Sequence, residues 1–210
     1  MNPKPGGQAM EVIWATPLYE FLRQCNASPL EKQVLDCGAG GDHPPLSLFY
    51  QYGYKTYGLE IQAQALEQAR RFGQENHMSL NVLHGDMRTI PFASASVSFV
   101  YSYNAIFFMT KPDIAATMQE IERVLKPHGL CYVNFKSVDD PDKSPFCETA
   151  YARRLLQSEG FAYHEDNEAD AYFTNFQIVR KEKRILDKLH EHDTSQRLRQ
   201  VMIEYIARKR

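Results

Sequence analysis

The sequence predicts a single α/β domain with a mostly parallel sheet, and two observations support this fold class. Short apolar runs of strand length alternate with segments of helical periodicity through the first two thirds of the chain, which is the pattern of crossover units in a parallel sheet. The length of 210 residues is that of one domain with a sizeable core. We therefore expect residues 1–210 to form one domain, with a helical N-terminal segment at 1–32.

Five strands of the expected sheet are parallel, and helices join them. The strands are predicted at residues 33–37, 55–60, 80–84, 96–101 and 130–135. The helices are predicted at residues 17–24, from about 44–45, at 64–76 and at 111–125. Pro44 and Pro45 fit the start of a helix because the amides of the first turn have no partner within the helix. A further strand is predicted at residues 177–186.

Composition and charge exclude several classes of protein. Hydrophobic residues make up 43% and charged residues 24% of the chain, which is typical of a globular protein. The net charge of −2 provides no positive field for a nucleic acid or an anionic membrane. Glu182 interrupts the basic stretch from Arg180 to Arg184, so we interpret that stretch as a solvated edge. Nucleic-acid and membrane partners are therefore not expected.

The cysteines and the N-terminal residues indicate a cytoplasmic protein. The four cysteines are widely spaced and form no CxxC pair, which argues against a zinc ribbon or a disulfide framework. No apolar stretch has the length of a signal-peptide core or a membrane span. His190 and His192 lie close together without a third ligand nearby, so no metal is expected. The expected assembly is a monomer or a homodimer.

A glycine-rich turn follows the first predicted strand. The run VLDCGAGG at residues 34–41 is an apolar strand that ends in Asp36 and continues into Gly38 and Gly40. Glycines let the backbone approach a ligand closely. Taken alone, this turn is equally compatible with a purely structural role.

Two more acidic residues follow the next two predicted strands. Glu60 ends the second strand, where a carboxylate can accept hydrogen bonds from both hydroxyls of a ribose. Asp86 follows the third strand and can accept from an adenine amino group while Met87 packs on the ring. The carboxyl ends of neighbouring parallel strands line the ligand crevice of an open sheet. The three acids therefore predict one nucleoside site.

The charge of the turn separates two candidate nucleoside ligands. The turn contains Asp36 and Asp42 but no lysine or arginine, so it would repel the pyrophosphate of a dinucleotide. S-adenosylmethionine (SAM) carries a sulfonium and an ammonium, and a carboxylate about 4 Å from a cation contributes about 4 kcal/mol at an effective dielectric of about 20. His43 also occupies the position of the third glycine of the dinucleotide motif. SAM is therefore the expected cofactor.

Residues 34–135 resemble the class I SAM-dependent methyltransferases, in particular the small-molecule enzymes with a methyltransferase type 11 domain. Asp36, Gly38 and Gly40 match the family motif that holds the methionine part of SAM. Glu60 matches the ribose-binding acid, and Asp86 matches the adenine contact. The resemblance adds neighbouring residues to the expected cofactor site, namely Ala39, Ile61, Gly85, Met87, Tyr103 and Asn104.

The resemblance also implies a Rossmann-like three-layer sandwich. Its sheet has about seven strands, the last of them antiparallel, with an irregular insertion after strand five. The stretch IERVLKPHG at residues 121–129 matches the helix, turn and fifth-strand signature, with His128 in place of a glycine. Apolar residues near the C-terminus follow helical spacing, namely Leu198, Val201, Met202, Tyr205 and Ile206. The family places a closing strand there instead, and we favour the strand.

Three departures from the family pattern bear on the site. Ser98 stands where many members have an acid, and Asp42 stands where a third motif glycine is common, so the contacts near both positions stay open. The stretch SYNA at residues 102–105 is not the [DN]-P-P-[YF] box of adenine-specific nucleic-acid methyltransferases. A small molecule is therefore the expected methyl acceptor.

Residues 136–176 are predicted to form a lid on the acceptor side. The segment is too long and irregular for a simple crossover. It carries six aromatic residues, namely Phe146, Tyr151, Phe161, Tyr163, Tyr172 and Phe173. Such side chains can enclose an apolar acceptor with few torsions to freeze. The alternative is that they only pack the segment onto the sheet.

The expected reaction is transfer of the SAM methyl group to an unidentified small molecule. Orientation of the two reactants can lower the barrier by about 7–11 kcal/mol, so a strong base is not required for every acceptor. Candidate bases are Tyr101, Tyr103, His164 and Tyr172, and Phe107 and Phe108 either line the site or belong to the core. Two alternatives remain: a SAM-binding sensor or scaffold without turnover and, disfavoured by the acidic turn, an NAD-dependent oxidoreductase.

Overall fold

An eight-stranded mixed β-sheet forms the middle layer of the fold. The computed structural model describes residues 16–140, 162–189 and 197–210. The strands are β1 (Gln33–Cys37), β2 (Lys55–Glu60), β3 (Val82–His84), β4 (Val97–Ser102), β5 (Leu125–Ser137), β6 (Tyr163–His164), β7 (Phe176–Leu189) and β8 (Arg197–Lys209). The helices are α1 (Thr16–Asn26), α2 (Leu46–Gln51), α3 (Ala63–Glu75) and α4 (Lys111–Val124). The expected α/β sandwich, with its last strands antiparallel, is confirmed.

Parallel pairing brings the carboxyl ends of three neighbouring strands together. The order in the sheet is β3-β2-β1-β4-β5-β8-β7, with β6 paired to the end of β5, and β1 to β5 run parallel. Asp36 of β1 is in register with Gly58 of β2, and Glu60 of β2 with His84 of β3. The loops that follow β1, β2 and β3 therefore leave the sheet side by side.

Helices cover both faces of the sheet with apolar side chains. Helices α1, α2 and α3 pack on one face, and α4 packs on the other. Phe21 of α1 joins the first layer to the sheet, because its ring lies 6.0 Å from Phe49, 6.1 Å from Tyr101 and 5.9 Å from Tyr132, measured between centroids. Burial of each large apolar side chain of this kind stabilises the fold by roughly 1.5–3 kcal/mol.

The C-terminal segment is a strand, as favoured above, although its apolar residues follow helical spacing. β8 lies between β5 and β7 and is antiparallel to both. Ile203 and Tyr205 enter the core on the α4 side, whereas Ile206 enters the core on the α1 side. Because both faces of β8 are covered, apolar residues occupy adjacent positions, and the helical spacing among them carries no structural meaning.

β5 begins at Leu125 rather than at residue 130 as predicted. Leu125 pairs with Val97, and the register shifts before Phe99 pairs with Leu130. His128 has a φ of +64°, and a Cβ on Gly129 would lie 2.8 Å from the carbonyl oxygen of Ser98. The turn-like sequence around these residues is therefore accommodated as an irregular stretch at the start of a strand.

The predicted lid falls largely on residues 141–161, which lie outside the described ranges together with Phe146, Tyr151 and Phe161. Within the described part, β6 pairs with Lys136 and Ser137 of β5. Tyr172 and Phe173 pack against the sheet, where Phe173 stacks on Tyr205 with ring centroids 4.5 Å apart. These two aromatic residues therefore follow the packing alternative.

The predictions about disulfides, metal sites and membrane spans concern residues both inside and outside the described ranges. Cys25, Cys37 and Cys131 are buried free thiols, and Cys147 lies outside. His190 and His192 also lie outside. Among residues 16–140, 162–189 and 197–210, no helix is long and apolar enough to cross a membrane, and no cluster of three or more His, Cys, Asp or Glu has a metal-binding arrangement.

A buried ion pair fixes the end of β5 to β8. Lys136 Nζ lies 3.3 Å from Asp140 Oδ2, with the two side chains 2% and 0% exposed. The same carboxylate oxygen accepts a 3.1 Å hydrogen bond from the amide of Val201 in β8.

Asp140→Ala should lower the free energy of unfolding by about 3–5 kcal/mol, because it removes the carboxylate that pairs with the buried Lys136 ammonium and accepts from the Val201 amide. The double variant Lys136→Met/Asp140→Leu should recover more than half of that loss, since it removes both charges. Urea unfolding measures both effects. Asp139→Ala, at a carboxylate that is 62% exposed, serves as the control. An equally small loss of unfolding free energy in Asp139→Ala and Asp140→Ala would contradict the prediction.

Candidate functional site

A cavity of about 260 Å³ opens where β1, β2, β3 and β4 end. Its walls come from the turn after β1, the end of β2 with the start of α3, and the loops after β3 and β4. The residues that line it are Gly38, Gly40, Gly41, Leu59, Glu60, Ile61, Gln62, Ala65, Gln68, Gly85, Asp86, Met87, Asn104, Ala105, Phe108 and Met109.

The turn after β1 is held against β2 and α3 by its own backbone. The amides of Gly38 and Ala39 donate to the carbonyl of Leu59 at 2.9 and 3.0 Å, and the amide of Gly41 donates to Ala65. Gly38 has a φ of +105°, and a Cβ there would lie 2.3 Å from the Cβ of Ala105. Only glycine fits this position, which makes the turn a rigid floor for the cavity.

Glu60 stands at the end of β2 and directs its carboxylate towards the turn. A Cβ on Gly40 would lie 2.4 Å from Glu60 Oε2, so this glycine leaves room for the carboxylate. Glu60 Oε1 accepts a 2.7 Å hydrogen bond from the amide of Gln62. Burial raises the pKa of Glu60, although backbone amides, that of Gln62 foremost, partly offset the rise. The side chain is therefore preorganised to accept further hydrogen bonds.

Asp36 lies beneath the turn and does not line the cavity. The residue is 1% exposed, and its Oδ2 makes no hydrogen bond of ordinary geometry with any described residue. Burial raises the pKa of Asp36 to about 8, the charge of Glu60 adds to the rise, and the Tyr101 hydroxyl opposes it. A buried carboxyl group of this kind becomes ionised more easily when a cation binds near it.

Asp86 is held by an arginine that the sequence reasoning missed. Arg88 Nη2 donates to Asp86 Oδ2 at 2.7 Å, and its backbone amide donates to Oδ1 at 2.8 Å. Arg88 Nη1 also donates to Asp113 at the start of α4. The Arg88 guanidinium lowers the pKa of Asp86, so this acid stays ionised. The sequence signal for this ion pair was an arginine two positions after the acid.

Two hydrogen bonds between Asn104 and Asn134 hold the loop after β4. The backbone amide of Asn104 donates to Asn134 Oδ1 at 2.9 Å, and the side-chain Nδ2 of Asn134 donates to Asn104 Oδ1 at 2.7 Å. Ser102 Oγ donates to the carbonyl of Cys37 and accepts from the amide of Ile106. The loop is thereby connected to both β1 and β5, which fixes Asn104 at the cavity wall.

The part of the chain that forms most of this cavity matches a known family model. Residues 35–133 match the family model described as a methyltransferase domain. These similarities support a class I SAM-dependent methyltransferase. Its fold is that of a putative methyltransferase from Bacillus halodurans, with a TM-score of 0.68 and 16% identity over 93% of this chain and 99% of that one.

Curated relatives are similar to the chain over about half of its length. Methyltransferase phqN of Penicillium fellutanum is 33% identical over 46% of this chain and 29% of its own length. Sterol 24-C-methyltransferase of Pneumocystis carinii is 32% identical over 50% of this chain and 28% of its own length. The chain therefore spans less than a third of either relative.

The structure brings most of the predicted cofactor residues of the chain to one cavity. The predicted residues that line it are Gly38, Gly40, Glu60, Ile61, Gly85, Asp86, Met87 and Asn104. Asp36, Ala39 and Tyr103 do not line it; Ala39 is buried at 0% exposure, and Tyr103 lies 6.2 Å from Tyr132 between ring centroids. The lining residues that sequence reasoning missed are Gly41, Leu59, Gln62, Ala65, Gln68, Ala105 and Met109.

The residues whose roles the sequence left open lie partly at the cavity and partly in the core. Phe108 lines the cavity, whereas Phe107 is buried at 3% exposure in a small apolar cluster with Met202. Three of the candidate bases, Tyr101, His164 and Tyr172, do not line the cavity. Tyr101 is 0% exposed in the core, and His164, also 0% exposed, lies beside Tyr172. Asp42, with a side chain that is 79% exposed, pairs with His43 outside the cavity.

Asp36→Asn should stabilise the unliganded protein, and the gain should grow between pH 4 and pH 8. The native state holds the proton of Asp36 up to about pH 8, whereas the unfolded chain releases it near the ordinary pKa of an aspartate, 3.8. The wild type therefore loses stability relative to the variant as the pH rises through this window. We expect a gain of roughly 1–3 kcal/mol at pH 8, measured by urea unfolding.

Asp42→Asn, at an exposed carboxylate, is the matched control. A pH-independent gain in Asp36→Asn, or an equal gain in Asp42→Asn, would contradict the buried and protonated state of Asp36.

Proposed function

We propose that the chain binds SAM in the cavity at the strand ends and transfers its methyl group to a small-molecule acceptor. One observation carries the proposal: among the described residues, the cavity is lined by Glu60 and Asp86 but by no lysine or arginine, and Asp36, a buried carboxyl group whose Oδ2 makes no hydrogen bond of ordinary geometry with them, lies close to its turn. SAM brings a sulfonium and an ammonium, which outweigh its single carboxylate, whereas the pyrophosphate of a dinucleotide brings two negative charges. The electrostatics of the described residues favour SAM.

Each part of SAM has a matching group on the chain. We assign the ribose hydroxyls to Glu60 and the adenine to Asp86 and Met87, with Ile61 and Gly85 beside them. The close approach of the turn at Gly38 and Gly40 supports placement of the methionine part there, with Asn104 on the opposite wall. Ala39, Asp36 and Tyr103 then act from behind the wall, where Asp36 supplies negative charge.

The chain contributes mainly by binding and orientation. SAM supplies an activated methyl group, so the residues of the chain have to align the acceptor and exclude water. Phe108 and Met109 provide apolar surface at the cavity. Because the candidate bases Tyr101, Tyr103, His164 and Tyr172 do not line it, the geometry favours an acceptor atom that attacks without a strong base, such as a carboxylate, a thiolate or a neutral amine.

Addition of S-adenosylhomocysteine should raise the thermal midpoint of the protein. A ligand that binds only the native state adds about 2.7 kcal/mol at 100 times its dissociation constant. Differential scanning fluorimetry measures the shift, with NAD as the control ligand. A midpoint that rises with NAD and stays constant with S-adenosylhomocysteine would contradict the cofactor assignment.

Glu60→Gln should weaken S-adenosylhomocysteine binding by roughly 1.5–3 kcal/mol, because a charge-assisted hydrogen bond becomes a neutral one. The substitution keeps the size of the side chain, so Gly40 still fits against it. Calorimetry measures the affinity. Glu75→Gln, at an exposed position near the end of α3, should bind as the wild type does. Wild-type affinity in Glu60→Gln would remove Glu60 from the site.

Turnover distinguishes the enzyme from a SAM-binding sensor or scaffold. The protein is incubated with a small-molecule extract and methyl-labelled SAM, and labelled products are detected by mass spectrometry. A labelled product that Glu60→Gln forms more slowly supports the enzyme. Binding of SAM without any labelled product would support the sensor.

A further inference from the structure

The turn after β3 presents Asp86 to the cavity at the strand ends and keeps Arg88 behind it. The amide of Thr89 donates to the carbonyl of Asp86 at 3.0 Å, which closes a β-turn over residues 86–89. Asp86 and Met87 line the cavity, whereas Arg88 does not. Arg88 therefore acts on a ligand in the cavity through the residues that it holds.

Arg88 takes up most of the hydrogen-bonding capacity of Asp86. Its backbone amide donates to Oδ1 at 2.8 Å, and its Nη2 donates to Oδ2 at 2.7 Å. Its Nε lies between the two oxygens, 3.1 Å from Oδ1 and 3.0 Å from Oδ2. An ionised carboxylate offers about four acceptor sites. The described residues therefore leave about one acceptor site of Asp86 to a ligand.

The pairing also confines Asp86 to the role of an acceptor. The Arg88 guanidinium lowers the pKa of Asp86, so the carboxylate has no proton to donate at neutral pH. A bidentate pair of this kind fixes the plane of the carboxylate as well as its charge. The remaining acceptor site fits a ligand N–H, such as one of the 6-amino group of adenine.

The same guanidinium connects the turn to the first turn of α4. Arg88 Nη1 lies 3.0 Å from Asp113 Oδ1. Ile90 is fixed to the same helix, because its amide donates to Glu120 Oε2 at 2.7 Å and its carbonyl accepts from Arg123 Nη2 at 2.8 Å. The turn that carries Asp86 is thus supported by a helix that packs on the sheet with buried apolar residues.

Asp113 lies next to a second part of the cavity wall. Thr110 Oγ1 donates to Asp113 Oδ2 at 3.0 Å and accepts from the amide of Asp113 at 3.3 Å. Thr110 directly follows Met109, and both Phe108 and Met109 line the cavity. Through Asp113 and Thr110, Arg88 links the wall that contains Asp86 to the wall that contains Phe108 and Met109.

We propose that Arg88 is a positioning residue of the cofactor site, which holds Asp86 in the orientation that selects a base with an N–H donor at its 6-position. A lysine would replace it only in part, since a single ammonium cannot form the bidentate contact with Asp86 and also reach Asp113. This assignment rests on the proposed function and adds to it the residue that sets the selectivity for the base.

Two ligands that differ in one group test the proposal. They are S-adenosylhomocysteine and its 6-deamino analogue, in which hydrogen replaces the 6-amino group. Calorimetry on the wild type should show at least about tenfold tighter binding of S-adenosylhomocysteine, because the analogue lacks a hydrogen bond to a charged group. Arg88→Met should weaken S-adenosylhomocysteine binding roughly fivefold to tenfold and binding of the analogue less than about twofold, so most of the preference is lost. Arg88→Lys should recover only part of it.

Arg71→Met, at an exposed arginine of α3, is the matched control and should bind both ligands as the wild type does. A role of Arg88 in the general stability of the site would weaken both ligands by the same factor. Equal weakening of both ligands in Arg88→Met, or a preference that is unchanged or larger, overturns the proposal.

The two assignments fail in different ways. If Arg88→Met does not fold, Asp113→Asn replaces it, with a smaller loss of the preference expected because only the contact with α4 is weakened. Failure of the wild type to bind S-adenosylhomocysteine overturns the proposed function. Binding of S-adenosylhomocysteine by the wild type without a preference over the analogue overturns the role of Arg88 and leaves the cofactor assignment intact.

Discussion

The contact between the turn after β1 and the end of β2 is the constraint on which the site depends. The amides of Gly38 and Ala39 rest on the carbonyl of Leu59, and the missing side chain of Gly40 leaves space for the Glu60 carboxylate. This contact places the turn, a buried acid and a cavity-lining acid within one small volume. Parallel pairing of β1, β2 and β3 then brings the loop with Asp86 to the same edge.

The same contact concentrates negative charge where the protein has few means to neutralise it. Asp36 and Glu60 each have a raised pKa because burial disfavours their charged forms. Asp36 is therefore protonated in the unliganded fold at neutral pH, and a cationic ligand would favour its ionised form. Stability and ligand binding are opposed at Asp36, which is common for groups that are arranged for binding.

The order of the strands and the acids at their ends could be predicted, because both depend on local patterns that a sequence contains. The start of β5 at Leu125 could not, because it depends on pairing with Val97 around a turn-like stretch. Arg88 and Ala65 escaped notice because their positions at the site follow from the packing of loops and helices. Tyr103, which is predicted at the cofactor, does not line the cavity, and its ring lies 6.2 Å from that of Tyr132 between centroids.

The position of β7 gives a meaning to the charged stretch from Arg180 to Arg184. Within the described part of the chain, β7 is the last strand in the sheet order and runs for 14 residues, so one of its long sides has no partner strand there. Exposed sheet edges of this length recruit strands from other molecules, and charged side chains with local irregularities prevent such pairing. The run of charges follows a register shift between Ile178 and Arg180. In a crowded solution these features would act against self-association into extended sheets.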